Sequence, residues 1–229
     1  MLSVDINERF EGVQGRIRHA EADAGRPMNS VGLIAVSKTQ PAAAIREAYA
    51  LGQRDFGENY LQEALAKQEE LVDLEDIVWH FIGPIQSNKT RPIAEHFDWV
   101  HTVDRIKTAE RLDQQRPAHL PPLNLCIQVN VSGETTKSGV ELSELVDLSD
   151  RMDQLHRVNL RGLMAIPAPI NPSDEDPGKP FRLLREAAEA LPRPLASLSM
   201  GMSDDLEWAI REGATWVRIG TALFGPRRP

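Results

Sequence analysis

Six lysines stand among the 26 basic residues of this chain, and three of them, Lys38, Lys89 and Lys137, follow closely on apolar runs. Lys38 is the sharpest case: "LIAV" at 33–36 leads into Ser37, Lys38, Thr39 and Pro41. An ammonium at the end of a buried strand is costly to desolvate, and burial pulls a lysine pKa toward neutrality. A neutral amine condenses with a carbonyl to form a Schiff base, a reaction for which lysine is the suited basic residue. For Lys89 and Lys137 a solvent-reaching or ion-paired side chain reads as well as a site role.

Two later motifs bring a second chemistry. "SMGMSDD" at 199–205 places Ser199, Gly201 and Ser203 ahead of a helical pattern opened by Asp204 and Asp205. "RIGT" at 218–221 places Gly220 and Thr221 directly after an apolar run. Free N–H groups at a helix start, a hydroxyl and a glycine that permits close approach suit an anion. Taken singly, each motif is also an ordinary helix cap or turn. Together, after two consecutive strands, they favour phosphate. A Schiff-base lysine and a phosphate site in one cavity suit a phosphorylated aldehyde, and pyridoxal 5'-phosphate (PLP) is the common biological one.

The elements that must position these residues alternate. Short apolar runs at Leu33–Ser37, Arg54–Gly57, Val78–Gly83, Trp99–Val103, Leu125–Asn130, Leu160–Ile166, Leu195–Met200 and Trp216–Gly220 read as strands. Between them, Ala42–Leu51, Tyr60–Leu74, Lys89–His96, Ile106–Gln115, Leu142–Leu155, Phe181–Leu191 and Asp204–Glu212 read as helices. Ahead of all of them, Ile6, Phe10, Val13 and Ile17 mark one face of an amphipathic helix. Alternation with near-continuous apolar strands implies a parallel sheet under helices. Eight strands in 229 residues fit a single (β/α)8 TIM-type barrel with an extra N-terminal amphipathic helix better than an open doubly wound sheet. The expected organisation is one barrel domain over 1–229, with residues 1–30 as a helical segment packed on it. The Pro- and Asp-rich stretch 167–180 reads as a surface loop.

In such a barrel the strand ends carry the chemistry. Those ends hold Lys38, "FGENY" (56–60), "HFIGPIQSNK" (80–89), Thr102–Asp104, "QVNVSGETTKSG" (128–139), "GLMAIPAP" (162–169), "SMGMSDD" and "RIGTALFG" (218–225). Composition narrows the function classes. With 26% charged and 41% hydrophobic residues and a net charge of −8, the chain reads as a soluble globular protein rather than a general binder of nucleic acid or membrane surfaces. The lone Cys126 forms no internal disulfide, and no stretch has membrane-spanning length. The expected location is cytoplasmic. His80, His96, His101, His119 and His156 show no metal-ligand spacing and read as ordinary core or surface histidines. The four tryptophans read as packing, and Glu63, Lys67 and Glu70 as a solvated helix face.

The motifs "AVSKT", "FGENY", "WHFIGPIQSNK", "HTVDR", "QVNVSGETTKSG", "GLMAIP", "SMGMSDD" and "VRIGTALFG", in order from about Leu33 to Gly225, resemble the YggS/PROSC family of pyridoxal phosphate homeostasis proteins. That family resembles the N-terminal barrel of alanine racemase. The resemblance implies that PLP forms a covalent aldimine with Lys38 and that Ser203, Gly220 and Thr221 hold its phosphate, with Gly201 and Met202 shaping that loop. It implies Arg218 at the pyridine nitrogen, Lys137 near the ring hydroxyl, Asn59 near the cofactor and Ile166 against the ring.

Three functions compete. The first is a carrier or regulator in PLP homeostasis without substantial turnover; the second is a weak PLP-dependent amino-acid racemase; the third is a Schiff-base aldolase. Alanine racemases use a second base, a tyrosine, supplied through a C-terminal β-domain and the partner subunit. Here the sequence ends at Pro229 and its tyrosines are Tyr49 and Tyr60, so the carrier reading is favoured. The expected partners are PLP and, transiently, apo PLP-dependent enzymes, with no nucleic acid or membrane, and the expected state is a monomer.

Overall fold

In the computed structural model, residues 5–133, 138–171 and 173–225 are described. Eight strands close into a barrel in sequence order: β1 (Gly32–Val36), β2 (Asp55–Glu58), β3 (Val78–Phe81), β4 (Trp99–Val103), β5 (Leu123–Gln128), β6 (Val158–Met164), β7 (Ser197–Ser199) and β8 (Trp216–Ile219). Every neighbouring pair is parallel, and β8 returns to β1 with Leu33 opposite Val217 and Ile34 opposite Arg218. The helices are α1 (Ile6–Asp23), α2 (Ala42–Ala50), α3 (Leu61–Glu70), α4 (Thr90–His96), α5 (Ile106–Gln115), α6 (Leu145–Met152), α7 (Lys179–Glu189), α8 (Leu206–Arg211) and α9 (Thr221–Phe224). This is the TIM-type barrel the alternation implied.

Strand residues divide by parity, as a pleated strand requires. Leu33, Ala35, Phe56, Val100, Leu198, Val217 and Ile219 join the apolar core that the helices cover. Their neighbours Ile34, His80, His101, Ser199 and Arg218 are buried but belong to the barrel's other side, its interior. Near the strand starts, Trp99 and Trp216 pack at 5.9 Å around His80. A side chain at Gly32 would meet the Trp216 ring at 2.3 Å, so that position requires glycine.

The boundaries differ from the sequence reading where polar residues interrupt a strand. β6 starts at Val158, ahead of the expected Leu160, because Asn159 and Arg161 face outward while their neighbours are buried. β7 pairs only over Ser197–Ser199, although the apolar run is longer. The expected helix 142–155 is a 3-10 turn at Leu142–Glu144 followed by α6. The helix expected to open at Asp204 begins at Leu206, with Asp205 as its cap residue.

α1 lies against α8 and α9. Val13 and Ile17 are buried, and Ile6 and Phe10 pack on the core, so the expected face is the packed one. Arg26 fastens the loop after α1 by donating to the carbonyls of Ile210 and Ala214. Among the described residues no helix is long and apolar enough to cross a membrane.

Candidate functional site

At the C-terminal mouth a cavity of about 500 Å³ is lined by residues that follow β1, β2, β3, β6, β7 and β8. Lys38, Asn59, Ile166, Ser203, Arg218, Gly220 and Thr221 all border it. These are seven of the residues singled out in the sequence. Lys137 lies outside the described residues, and Lys89, in a 3-10 turn after β3, does not border the cavity. The volume falls in the range of small-molecule sites.

Lys38 is half-buried directly after β1, and both its neighbours are tied to one buried ionic cluster. Ser37 Oγ donates to Glu58 Oε1 at 2.6 Å, and Lys67 Nζ donates to Ser37 O at 2.7 Å, Glu58 Oε1 at 2.7 Å and Glu63 Oε1 at 2.5 Å. On the other flank, the Thr39 amide donates to Glu63 Oε1 at 2.5 Å, and Thr39 takes the left-handed backbone, φ 64°. A β-branched residue rarely adopts that conformation unless its surroundings hold it there. Lys67, expected on a solvated face, is 5% exposed; the carboxylates of Glu58 and Glu63 draw its head inward along the methylene stem. Burial raises the Glu58 carboxyl above its ordinary value, against the opposing pull of Lys67.

Arg218 is held on the interior side. Its Nη2 donates to Ala165 O at 2.9 Å and its Nη1 to Ser199 Oγ at 2.9 Å. From there a file continues: Ser199 Oγ to His101 Nδ1 at 2.8 Å, His101 Nε2 to His80 Nδ1 at 2.9 Å, and His80 Nε2 to Asp55 Oδ1 at 2.9 Å. The two histidines are thus members of one buried polar chain, more than the scattered core residues their spacing suggested. Burial lowers Arg218 to about 10 and drives His101 well below the usual histidine range.

The third corner joins the loops after β7 and β8. Ser203 Oγ lies 3.4 Å from the Ala222 amide at the start of α9. Gly201, φ 96°, accepts the Arg218 amide at its carbonyl, and a side chain there would meet Ala209 at 2.6 Å. Asp205 Oδ1 accepts the Met202 amide at 2.6 Å, which fixes the turn carrying Ser203. Arg16, on α1, also borders the cavity; it donates to Ser203 O at 2.9 Å and forks onto both Glu207 oxygens at 2.7 and 2.9 Å. No motif pointed to Arg16, since the contact spans 187 residues of sequence.

One atom tests whether the cavity is built for a polar ligand. Asn59 Oδ1 is buried and has no hydrogen-bond partner among the described residues. An unpaired buried amide end costs about 1–3 kcal/mol, and oxygen and nitrogen exchange by a flip of the group. A polar ligand in the cavity would satisfy it. The charges of Lys38 and Arg218 and the hydroxyl of Ser203 suit an anionic ligand with a carbonyl and a ring acceptor.

The alanine racemase N-terminal domain family matches residues 14–228. A pyridoxal phosphate homeostasis protein of Pseudomonas aeruginosa is 63% identical over 222 residues, covering 97% of this chain and 96% of its own. The protein of the same name from Escherichia coli is 49% identical over 231 residues, with 97% of each chain covered. PipY of Synechococcus elongatus, solved with PLP bound, matches with a TM-score of 0.83 at 45% identity, over 96% of this chain and 100% of that one. An alanine racemase of Bartonella henselae matches with a TM-score of 0.71 at 16% identity, over 98% of this chain and 60% of that one, a likeness of fold alone.

Proposed function

This chain belongs to the pyridoxal phosphate homeostasis family, and on that premise we propose that its barrel mouth binds PLP reversibly and serves the cofactor's supply in the cytoplasm, as a carrier or regulator without substantial turnover. The observation that carries the reading is the convergence, in one cavity of about 500 Å³, of Lys38, Arg218, Ser203 and the unpaired amide end of Asn59. PipY, solved with PLP bound, supports the choice of ligand.

Bound there, the cofactor would supply an aldehyde, and Lys38 is the residue whose amine would hold it. Ser203, Gly220 and Thr221 hold the phosphate, with the Ser203 hydroxyl and the first-turn amides of α9 as donors. Arg218 faces the ring nitrogen; as a donor that does not give up its proton near neutral pH, it accepts no share of ring chemistry beyond a hydrogen bond. Asn59 would sit beside the cofactor and Ile166 would cover the ring. Partners are apo PLP-dependent enzymes met transiently by a monomer.

The carrier reading rests also on the tyrosines. Tyr49 donates to Asp76, and Tyr60 is 55% exposed; neither borders the cavity. The test is to add PLP, reduce with borohydride and map the pyridoxyl group by mass spectrometry. It is expected on Lys38, and Lys38→Ala should abolish it while Lys89→Ala leaves it in place. A label found mainly on another lysine overturns the assignment.

A further inference from the structure

The buried file behind Arg218 has no part in holding PLP as set out above, yet it crosses the barrel interior from the cavity toward the strand starts. Its members come from five strands: Arg218 on β8, Ser199 on β7, His101 on β4, His80 on β3 and Asp55 on β2. Ser199, His101 and His80 are completely buried; the file meets solvent at the Asp55 side chain, 26% exposed, and opens at its other end onto the cavity that Arg218 borders. A polar chain in a barrel core is costly unless every donor meets an acceptor.

The direction of every bond follows from the two ends. A guanidinium only donates and a carboxylate only accepts. Arg218 Nη1 therefore donates a hydrogen bond to Ser199 Oγ, and the Ser199 hydroxyl is satisfied by donating onward to His101 Nδ1. With Nδ1 accepting, the neutral His101 carries its proton on Nε2 and donates to His80 Nδ1. By the same step His80 carries its proton on Nε2 and donates to Asp55. All members are paired with no charge besides those at the ends. The reverse direction would make Ser199 Oγ accept two N–H groups, with its own proton left over, and would place a buried imidazolium in the same interior as the Arg218 guanidinium.

We propose that Ser199, His101, His80 and Asp55 are positioning residues, a one-way hydrogen-bond relay that fixes the Arg218 guanidinium and, resting on the PLP reading, aims it at the acceptor nitrogen of a pyridine-type ring. Two of its five N–H groups are engaged, by Ser199 and Ala165, so the plane of the fork is set before any ligand arrives. A lone serine would not suffice: its hydroxyl rotates, and only a partner with a fixed lone pair holds it pointing away from the arginine. Each histidine supplies that lone pair only because the next member accepts its other proton. The carboxylate ends the sequence.

Two measurements test this. Nitrogen-15 NMR of the histidine side chains, on the protein without added ligand, should show His80 and His101 neutral near pH 7, each protonated on Nε2. Protonation of His101 at Nδ1, or a charged His80, overturns the relay. The second measurement compares binding of PLP with binding of its analogue bearing C–H in place of the ring nitrogen. Wild type should prefer PLP on the order of tenfold, the scale of one hydrogen bond to a charged donor. Ser199→Ala, and independently Asp55→Ala at the solvent end, should erase most of that preference while leaving the preference for PLP over unphosphorylated pyridoxal in place. Ser199→Thr, which keeps the hydroxyl, should restore it. Folded variants that retain the full preference overturn the positioning role. If wild type binds neither compound, the PLP reading fails, and the tautomers still decide whether the relay exists.

Discussion

Ser203 illustrates how a single hydroxyl is made useful by its neighbours. Its turn is fixed by Asp205 accepting the Met202 amide and by Gly201 in a conformation and a space that exclude a side chain, and Arg16 caps its carbonyl. The hydroxyl is thereby set beside the α9 amides before a ligand binds. Phosphate held there should dominate affinity, because charge-assisted hydrogen bonds are about twice as strong as neutral ones. PLP is thus expected to bind far more tightly than pyridoxal, and Ser203→Ala to weaken PLP on the order of tenfold without loss of fold, as read by titration and circular dichroism. Equal affinity for the two compounds would show that no phosphate cradle operates. Ser203, Gly220 and Thr221 were legible because hydroxyl and glycine after an apolar run stand out locally. Arg16 and the orphaned amide end of Asn59 were not, since what defines them is a partner, or the lack of one, far away in sequence.

At the scale of elements, β1 and α3 act together. The backbone on both sides of Lys38 is anchored by Glu58, Glu63 and Lys67, so α3 sets where the lysine leaves the barrel wall. Lys67→Met would leave the Glu58 carboxyl buried, 0% exposed, without its ammonium. Breaking a buried pair this way costs about 3–5 kcal/mol, to be read by urea unfolding near neutral pH. Burial already raises the folded-state Glu58 value above its ordinary 4.5. A raised carboxyl favours the folded state fully below the unfolded value and loses that contribution as pH rises through the folded one. The cost of Lys67→Met should therefore shrink as the solution is acidified toward pH 4.5. The double variant Lys67→Met/Glu58→Gln should recover most stability yet trap PLP on Lys38 more slowly, because the flanks of the lysine are loosened. Full recovery of both would leave the cluster a stability role only. The sequence showed Glu63, Lys67 and Glu70 at helical spacing, which describes a solvated face equally well; only the depth of Glu58 at the end of β2 turns Lys67 inward.

For the whole molecule, the eight apolar runs made the barrel legible, while its closure rests on the β8–β1 pairing, which no local pattern encodes. The Arg16–Glu207 fork and the Arg26 contacts fasten the N-terminal helix to α8, so residues 1–229 are expected to unfold as one domain. A single calorimetric transition, unchanged in midpoint between probes of α1 and of the barrel, is the result that fits; a separate early melting of α1 does not.

The same global arrangement bears on turnover. Racemisation needs a proton removed from one face of a substrate carbon and returned on the other. Lys38, which borders the cavity, would serve one face in the proposed site. On the other, Tyr60 is turned to solvent, Tyr49 is engaged with Asp76, and the histidines His80 and His101 are sealed inside the barrel. Cys126, buried with its thiol pushed up to about 12, supplies no base either. A positioned acid–base group contributes typically 10²–10⁴-fold, so turnover in the proposed carrier, with none of these groups serving the second face, should be slow by about that factor. Interconversion of D- and L-alanine, followed with PLP-loaded protein, is expected near background, while an apo-enzyme in excess should withdraw the cofactor. Racemisation at ordinary enzyme rates, on the order of 10 s⁻¹, that vanished in Lys38→Ala would make this barrel a catalyst and set the carrier reading aside.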